Sequence, residues 1–239
     1  MSKTNFQDIN FKLKENEFNR RAADDKDFKK RAAIVLTGGK SSRMGTNKAL
    51  LSIGQEPMLK SIVDRLKPLF SEVIVATNDP ELYENLEVYT VKDIIPGKGP
   101  LSGIHAGLIN SPYWYNFVVA CDMPFLVPEF IEFLFKQAGG YDVVVPYRGI
   151  HLGRKYLEPL HAVYSKGCIN AIEECLKKGE YQAYAFYSQV KVKYLDVNKL
   201  SGSINLNKSL FNVNTPKDLE KARRLVQDES ENTSDIRRR

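Results

Sequence analysis

From residue 32 onward, short apolar runs of strand length alternate with stretches of helical period, and this alternation limits the folds open to the chain. AAIVL at 32–36, EVIVA at 72–76, a weaker run at 88–91, FVVA at 117–120 and DVVVP at 142–146 read as strands. Between the first two, apolar residues at 58, 59, 62, 63, 66, 69 and 70 predict a helix over 58–70 begun at Pro57, with further helices at 101–109 and 128–137. Strands apolar on both faces and separated by helices predict a mainly parallel, two-faced sheet, because parallel strands need crossover connections. Beyond 150 the pattern loosens. A strand at 157–164, a helix at 166–178, a short aromatic helix at 181–187, a strand at 191–195 and a last helix at 216–226 are expected.

The domain organisation follows: a charged N-terminal extension over 1–31, one α/β domain over 32–226 and a polar tail over 227–239 expected to be disordered. A net charge of +6 on 239 residues invites a nucleic-acid reading, but the charge is badly placed for it. Residues 1–31 hold nine Lys and Arg against six Asp and Glu, whereas 32–216 hold 19 against 17. A nucleic-acid surface needs its basic stripe on the folded part, so no nucleic-acid partner is expected. Three cysteines, Cys121, Cys168 and Cys175, are too few for a disulfide framework. With no apolar run of membrane-span length and no signal-peptide core, a cytoplasmic protein without a membrane partner is expected.

The stretch richest in chemistry is Leu36-Thr37-Gly38-Gly39-Lys40-Ser41-Ser42-Arg43-Met44-Gly45-Thr46-Asn47-Lys48. It leaves the first strand at the carboxyl edge, where open α/β sheets bind ligands. Paired glycines let the backbone turn tightly and present bare N–H groups to an anion, and Lys40, Arg43 and Lys48 supply cations. The spacing is neither that of a Walker A loop nor that of a dinucleotide fingerprint. An ordinary glycine turn with solvated charges is the alternative.

Asp122, in Val118-Val119-Ala120-Cys121-Asp122-Met123-Pro124, ends an apolar strand at the same edge. A hard carboxylate there suits Mg²⁺, which takes one or two carboxylates beside substrate phosphates; a turn-capping carboxylate is the other reading. In Gly97-Lys98-Gly99-Pro100-Leu101-Ser102-Gly103-Ile104, glycines precede a helix whose first N–H groups are open to a nucleotide, and Asp93 could reach the same region. A plain loop-to-helix connection would look similar.

LTGGKSSRMGTNKALL, GPLSGI, VACDMP and Asn212-Val213-Asn214-Thr215-Pro216 occur in the order found in the molybdenum cofactor guanylyltransferase family, which residues 32–226 resemble. The first motif belongs to a wider nucleotidyltransferase superfamily; its short form, with the other segments, resembles the guanylyl branch. The resemblance implies a Rossmann-like three-layer α/β/α fold, GTP as donor, molybdopterin or molybdenum cofactor as acceptor, and Mg²⁺ as cofactor. It implies a nucleotide site of Leu36, Thr37, Gly38, Gly39, Lys48, Asp93, Gly99, Pro100, Leu101 and Asp122. Arg43, Lys48 and Asp122 would be catalytic and Asp122 the metal ligand, with Asn212 and Asn214 on the acceptor side or near the metal. Proteins of molybdenum cofactor biosynthesis, or a molybdoenzyme, are implied partners. Ala76 departs from the pattern, since some members carry an asparagine there that could contact guanine; the 1–31 extension is also foreign to it.

In the implied reaction, the acceptor phosphate attacks the α-phosphorus of GTP in line and pyrophosphate leaves. The acceptor is already anionic, so neutralising charge matters more than a strong base or a nucleophilic side chain. Two rivals stand beside it: a CTP- or ATP-dependent nucleotidyltransferase with another phosphorylated acceptor, and a non-catalytic nucleotide-binding adaptor. His105, His151 and His161 lack metal-binding spacing and read as packing or surface residues, His161 being the one whose strand could face the acceptor. Tyr181, Tyr184, Phe186 and Tyr187 could wall a pterin, but a core or interface stripe is favoured.

Overall fold

The computed structural model describes residues 30–37, 48–95, 99–200 and 206–237. Eight strands form one sheet: β1 (Ala32–Leu36), β2 (Glu72–Ala76), β3 (Tyr89–Val91), β4 (Tyr115–Ala120), β5 (Val143–His151), β6 (Arg154–Leu157), β7 (His161–Ser165) and β8 (Val192–Asp196). Their order is β3-β2-β1-β4-β7-β5-β6, with β8 beside β5. The half formed by β3, β2, β1 and β4 is parallel. Beyond β4 the sheet is mixed: β7 runs antiparallel to β4 and β5, β6 is antiparallel to β5, and β8 is parallel to β5. The mainly parallel expectation therefore describes one half only.

Helices α1 (Met58–Leu66), α2 (Pro100–Asn110), α3 (Pro128–Lys136), α4 (Ile169–Lys178), α5 (Leu206–Ser209) and α6 (Pro216–Arg237) complete the chain. Strand β1 is buried on both faces, and its alternation divides the core. Ala33 and Val35 pack with Met58, Ile62, Phe130 and Leu219, whereas Ile34 and Leu36 pack with Leu101, Ile104, Ile172 and Phe186. Helices α1, α3 and α6 thus cover one face and α2 and α4 the other, giving three layers.

On the second face α2 lies unusually close to β1. A Cβ built on Gly107 would stand 2.4 Å from Ile34 Cγ2 and 2.8 Å from its Cδ1. Both residues are buried, and the nearer atom is bonded directly to the Ile34 Cβ, so it can move only if the whole side chain turns within a packed core. Gly107→Val should lose about 3 kcal/mol through overpacking. At roughly 2–4 °C per kcal/mol for a domain of this size, the thermal midpoint should fall by about 6–12 °C; an unchanged midpoint would refute this close approach.

Three boundaries differ from expectation for local reasons. Helix α1 stops at Leu66, and residues 67–69 form a turn in which Leu69 N and Phe70 N both bond Leu66 O. Pro68 has no N–H with which to continue the helix. The run at 157–164 is two strands, because Pro159 cannot donate to a ladder and the turn closes with His161 N on Glu158 O at 3.1 Å. The aromatic segment at 181–187 is a set of turns leading into a single 3₁₀ turn at Tyr187–Gln189.

The C-terminal expectation also changes. Helix α6 continues past 226 to Arg237, through the segment expected to be disordered. No Pro or Gly follows Pro216, and Glu220 pairs with Arg224 one turn on. The extension at 1–29, and with it nearly all of the charged N-terminal segment, lies outside the described residues. Among the described residues no helix is long and apolar enough to cross a membrane.

Candidate active site

Strands β2 and β4 flank β1 on opposite sides, so the chain reverses its lateral progress at β1, and the crevice beyond the carboxyl ends of β1 and β4 is the switch point. The edge is tightly tied: Cys121 N bonds Leu36 O at 2.9 Å, while Thr37 donates both N and Oγ1 to Ala76 O at 3.1 Å each. These bonds hold the start of the glycine loop between β2 and β4. Gly38, expected to line the nucleotide site, and Gly39 and Arg43, expected beside its phosphates, lie outside the described residues, as does Lys40.

The far end of that loop returns to the crevice. Residues Lys48–Leu50 form a 3₁₀ turn pinned by fully buried Ala49, and Leu51 N bonds Lys48 O at 3.1 Å. This anchor carries Lys48 to the end of β4, where its Nζ donates to Asp122 Oδ2 at 3.2 Å and to Asn214 Oδ1 at 2.8 Å. The Lys48 and Asp122 side chains are 19% and 20% exposed, enough for a ligand to reach both.

Asn214 arrives by a separate device. The Thr215 side chain accepts from Asp218 N at 3.2 Å, and Asp218 Oδ2 in turn accepts from Asn214 N at 3.1 Å and Thr215 N at 2.8 Å. This reciprocal cap fixes the first turn of α6 and sets the backbone of Asn214. The Thr215 hydroxyl, foremost among these partners, holds the Asp218 carboxyl below the usual carboxylate range. Val213 N bonds Asp122 O at 2.8 Å, closing the segment onto β4. Asn212 lies just before, its Nδ2 on Leu210 O at 3.3 Å.

On the β2–β3 side, Asp93 follows β3 and accepts a hydrogen bond from Asn78 Nδ2 at 3.0 Å. Burial pushes the Asp93 carboxyl up, and the Asn78 amide draws it partly back. A Cβ placed on Gly103 would lie 3.0 Å from Leu36 Cδ2, 3.5 Å from Asp93 Oδ1 and 3.6 Å from Ala76 Cβ. Leu36, Ala76, Asp93 and the start of α2 therefore meet at one spot. Ala76 offers no side-chain polar group, but Asn78, two residues on, brings an amide to Asp93. Its short separation from Ala76 was the only signal in the sequence.

Gly99 stands at the N-cap of α2 with φ of +72°, and a Cβ there would lie 2.9 Å from the backbone oxygen of Tyr181. The left-handed backbone and this approach both require glycine. Leu101, by contrast, is fully buried in the second-face core. Of Gly99, Pro100 and Leu101, it is the backbone rather than the Leu101 side chain that can meet a ligand.

The remaining candidates resolve into packing. Phe186 and Tyr187 are buried, with Tyr187 Oη 2.7 Å from Tyr164 Oη, whereas Tyr184 is half exposed, so the four aromatics form no continuous wall. His105 bridges α2 to α4 through Glu173 Oε1 at 3.3 Å. His161 is fully buried, stacked on Phe130 with ring centres 5.5 Å apart, and its Nε2 lies 3.2 Å from Ser209 Oγ. Desolvation, with nearby Arg148 adding to it, lowers its pKa to about 3.

His161 supplies a pH prediction. Between about 3 and the ordinary value near 6.5, the unfolded chain holds a proton on this imidazole that the folded chain does not. Its contribution to stability therefore rises with pH through that window, by up to about 1.4 kcal/mol per unit, and is complete above it. Urea unfolding at pH 4.5 and pH 6.5 should show a shallower pH dependence for His161→Leu than for the parent; equal slopes would refute the assignment.

A parallel half-sheet with a glycine loop after its first strand, and with a cation, a carboxylate and an amide converging beyond its central strands, defines an α/β nucleotidyltransferase-type fold. The MobA-like NTP transferase domain family matches residues 33–192, and the chain belongs to that family. A protein of Pelotomaculum thermopropionicum described as a probable molybdenum cofactor guanylyltransferase is 45% identical over 194 residues, spanning 81% of this chain and 92% of its own length. The crystal structure of molybdopterin-guanine dinucleotide biosynthesis protein A from Archaeoglobus fulgidus superposes with a TM-score of 0.72 at 28% identity, covering 82% of this chain and 99% of that one. The 2-C-methyl-D-erythritol 4-phosphate cytidylyltransferase of Thermus thermophilus shares the fold at a TM-score of 0.59 and 14% identity, over 81% and 98% of the two chains.

Proposed function

We propose that this protein transfers GMP from GTP to the phosphate of molybdopterin, releasing pyrophosphate. The observation that carries the reading is the convergence of Lys48, Asp122 and Asn214 at the carboxyl ends of β1 and β4. The activities ascribed to the similar proteins supply the substrates.

The chain's own groups divide the work. Lys48 is buttressed by buried Ala49, and its ammonium trades Asp122 for a phosphate oxygen when GTP enters. Backbone N–H groups of Gly38 and Gly39, with the Arg43 guanidinium, receive the remaining phosphate charge, while the Thr37 N–H stays on Ala76 O and anchors the start of the loop. Asp93, steadied by Asn78, offers a carboxylate oxygen to the nucleoside beside Leu36 and Ala76. Asn212 and Asn214 orient the acceptor across the crevice, so the attacking oxygen and the α-phosphorus meet in line without a protein nucleophile.

A divalent metal fits the donor set. Asp122 is a hard carboxylate, partly open, beside the Asn214 amide oxygen, and a single carboxylate suffices for Mg²⁺ when phosphates complete the shell. Among the described residues no cluster of three or more His, Cys, Asp or Glu side chains occurs, so in this reading substrate phosphates and water would complete the shell. Mg²⁺ would neutralise charge developing on the departing pyrophosphate. Such a reaction belongs in the cytoplasm, where GTP is available.

Pyrophosphate release should be measured with molybdopterin and each of the four nucleoside triphosphates in turn. GTP is expected to be the substrate. Preference for CTP or ATP would assign the chain to another nucleotidyl branch, and no release with any nucleotide would favour an adaptor.

A further inference from the structure

Arg148 lies outside every motif described above, yet it is wired to the active-site crevice. Tyr147 pairs with Leu157 and Ile150 with Lys155, so Arg148 and Gly149 together oppose Tyr156 alone. An extra residue of this kind bends a strand and re-aims a side chain. Asn198 Nδ2 secures the bulge by donating to Arg148 O at 2.8 Å.

The guanidinium then bridges two groups. Its Nε donates to Glu158 Oε1 and its Nη2 to the backbone oxygen of Leu210. The Glu158 side chain is only 18% exposed. Burial above all raises the Glu158 carboxyl, Arg148 opposes the rise, and Asp122 adds to it, so this pair sits within electrostatic reach of the catalytic carboxylate. Leu210 O is also the acceptor for Asn212 Nδ2. Three residues on, Val213 N bonds Asp122 O, and the next side chain, Asn214, meets Lys48.

We propose that Arg148 is a positioning residue for guanylyl transfer: through Leu210 O it sets the Asn212-Val213-Asn214 segment against Asp122 and Lys48. The proposal rests on the reading of Asn212 and Asn214 as acceptor-side groups. Arginine suits the task because its planar fork reaches a carboxylate and a carbonyl at a set separation. A lysine at 148 keeps the charge but cannot span both.

Steady-state kinetics for Arg148→Ala, Arg148→Lys and Asn212→Ala, with the Arg148→Ala/Asn212→Ala double variant, test this. Both Arg148 variants are expected to lose about tenfold or more in kcat/KM for molybdopterin, with GTP affinity changed less than about threefold. The double variant should be little worse than Asn212→Ala, because both changes break one device. Recovery of parental kinetics in Arg148→Lys would instead make Arg148 a simple cation for substrate and overturn the proposal, as would additive losses in the double variant.

Hydrogen exchange supplies a readout independent of turnover. In Arg148→Ala the Val213 amide should exchange faster while the β1 and β4 amides stay protected; unchanged Val213 exchange overturns the proposal. A parent protein that transfers no GMP would overturn the functional reading, and the exchange experiment would still decide whether Arg148 holds the segment.

Discussion

Asp122→Asn should fold normally and lose about a hundredfold to a thousandfold in turnover, the range for removing one preorganised charge-stabilising group from an active site. Its shape is preserved, and the bonds that tie this corner, Cys121 N to Leu36 O and Val213 N to Asp122 O, use backbone atoms that the substitution leaves alone. What disappears is the anionic charge at the end of β4. An amide oxygen is a poorer ligand for a hard dication, so the deficit should persist across a full Mg²⁺ titration. Thermal melts and GTP binding should be recorded beside the rates. Parental turnover at any Mg²⁺ concentration would remove Asp122 from the catalytic group.

Lys48→Ala should lower kcat/KM by about tenfold to a hundredfold, since a hydrogen bond to a charged group contributes about 1.5–3 kcal/mol. Lys48 Nζ is the donor that joins Asp122 to Asn214, so its removal leaves a carboxylate and an amide oxygen facing each other without the cation between them. If the ammonium binds ground-state phosphate, KM for GTP rises; if it acts on the departing pyrophosphate, kcat falls. Lys40→Ala is the control: Lys40 directly follows the glycine pair in sequence, and it is expected to matter less. A larger loss for Lys40→Ala than for Lys48→Ala would show that the phosphates lie nearer the glycine pair than proposed.

The two variants separate binding from chemistry because they remove opposite charges from one ion pair. On the proposed roles, Lys48→Ala takes away attraction for phosphate, whereas Asp122→Asn takes away the site for a metal. A Mg²⁺ dependence altered in Asp122→Asn but parental in Lys48→Ala would support that division of roles.

Much of this was legible in the residue order. Burial on both faces of AAIVL and EVIVA and a carboxylate closing the β4 run are local patterns. A continuous apolar strand broken by glycine or aspartate announces its own end. The resemblance carried the same residues into one family, and the family match agrees with it.

Other features were settled only in three dimensions. Periodicity records which faces of a segment are buried but not which strand lies beside it, so the mixed half of the sheet, with β7 inserted between β4 and β5, had no local signature. Lys48 meets Asp122 across 74 residues of sequence and Asn214 across 166, contacts that exist because β4 lies beside β1 and the cap of α6 turns Asn214 inward. Asn78 joins Asp93 because β2 and β3 are parallel neighbours whose ends coincide. Arg148 reaches Leu210 through a bulge visible only once the strands are paired. Sequence by itself determined the alternating elements and the chemistry available at their ends, since both follow from local pattern. Tertiary structure decided which of those ends share a crevice, because that depends on sheet order and on close packing between distant segments.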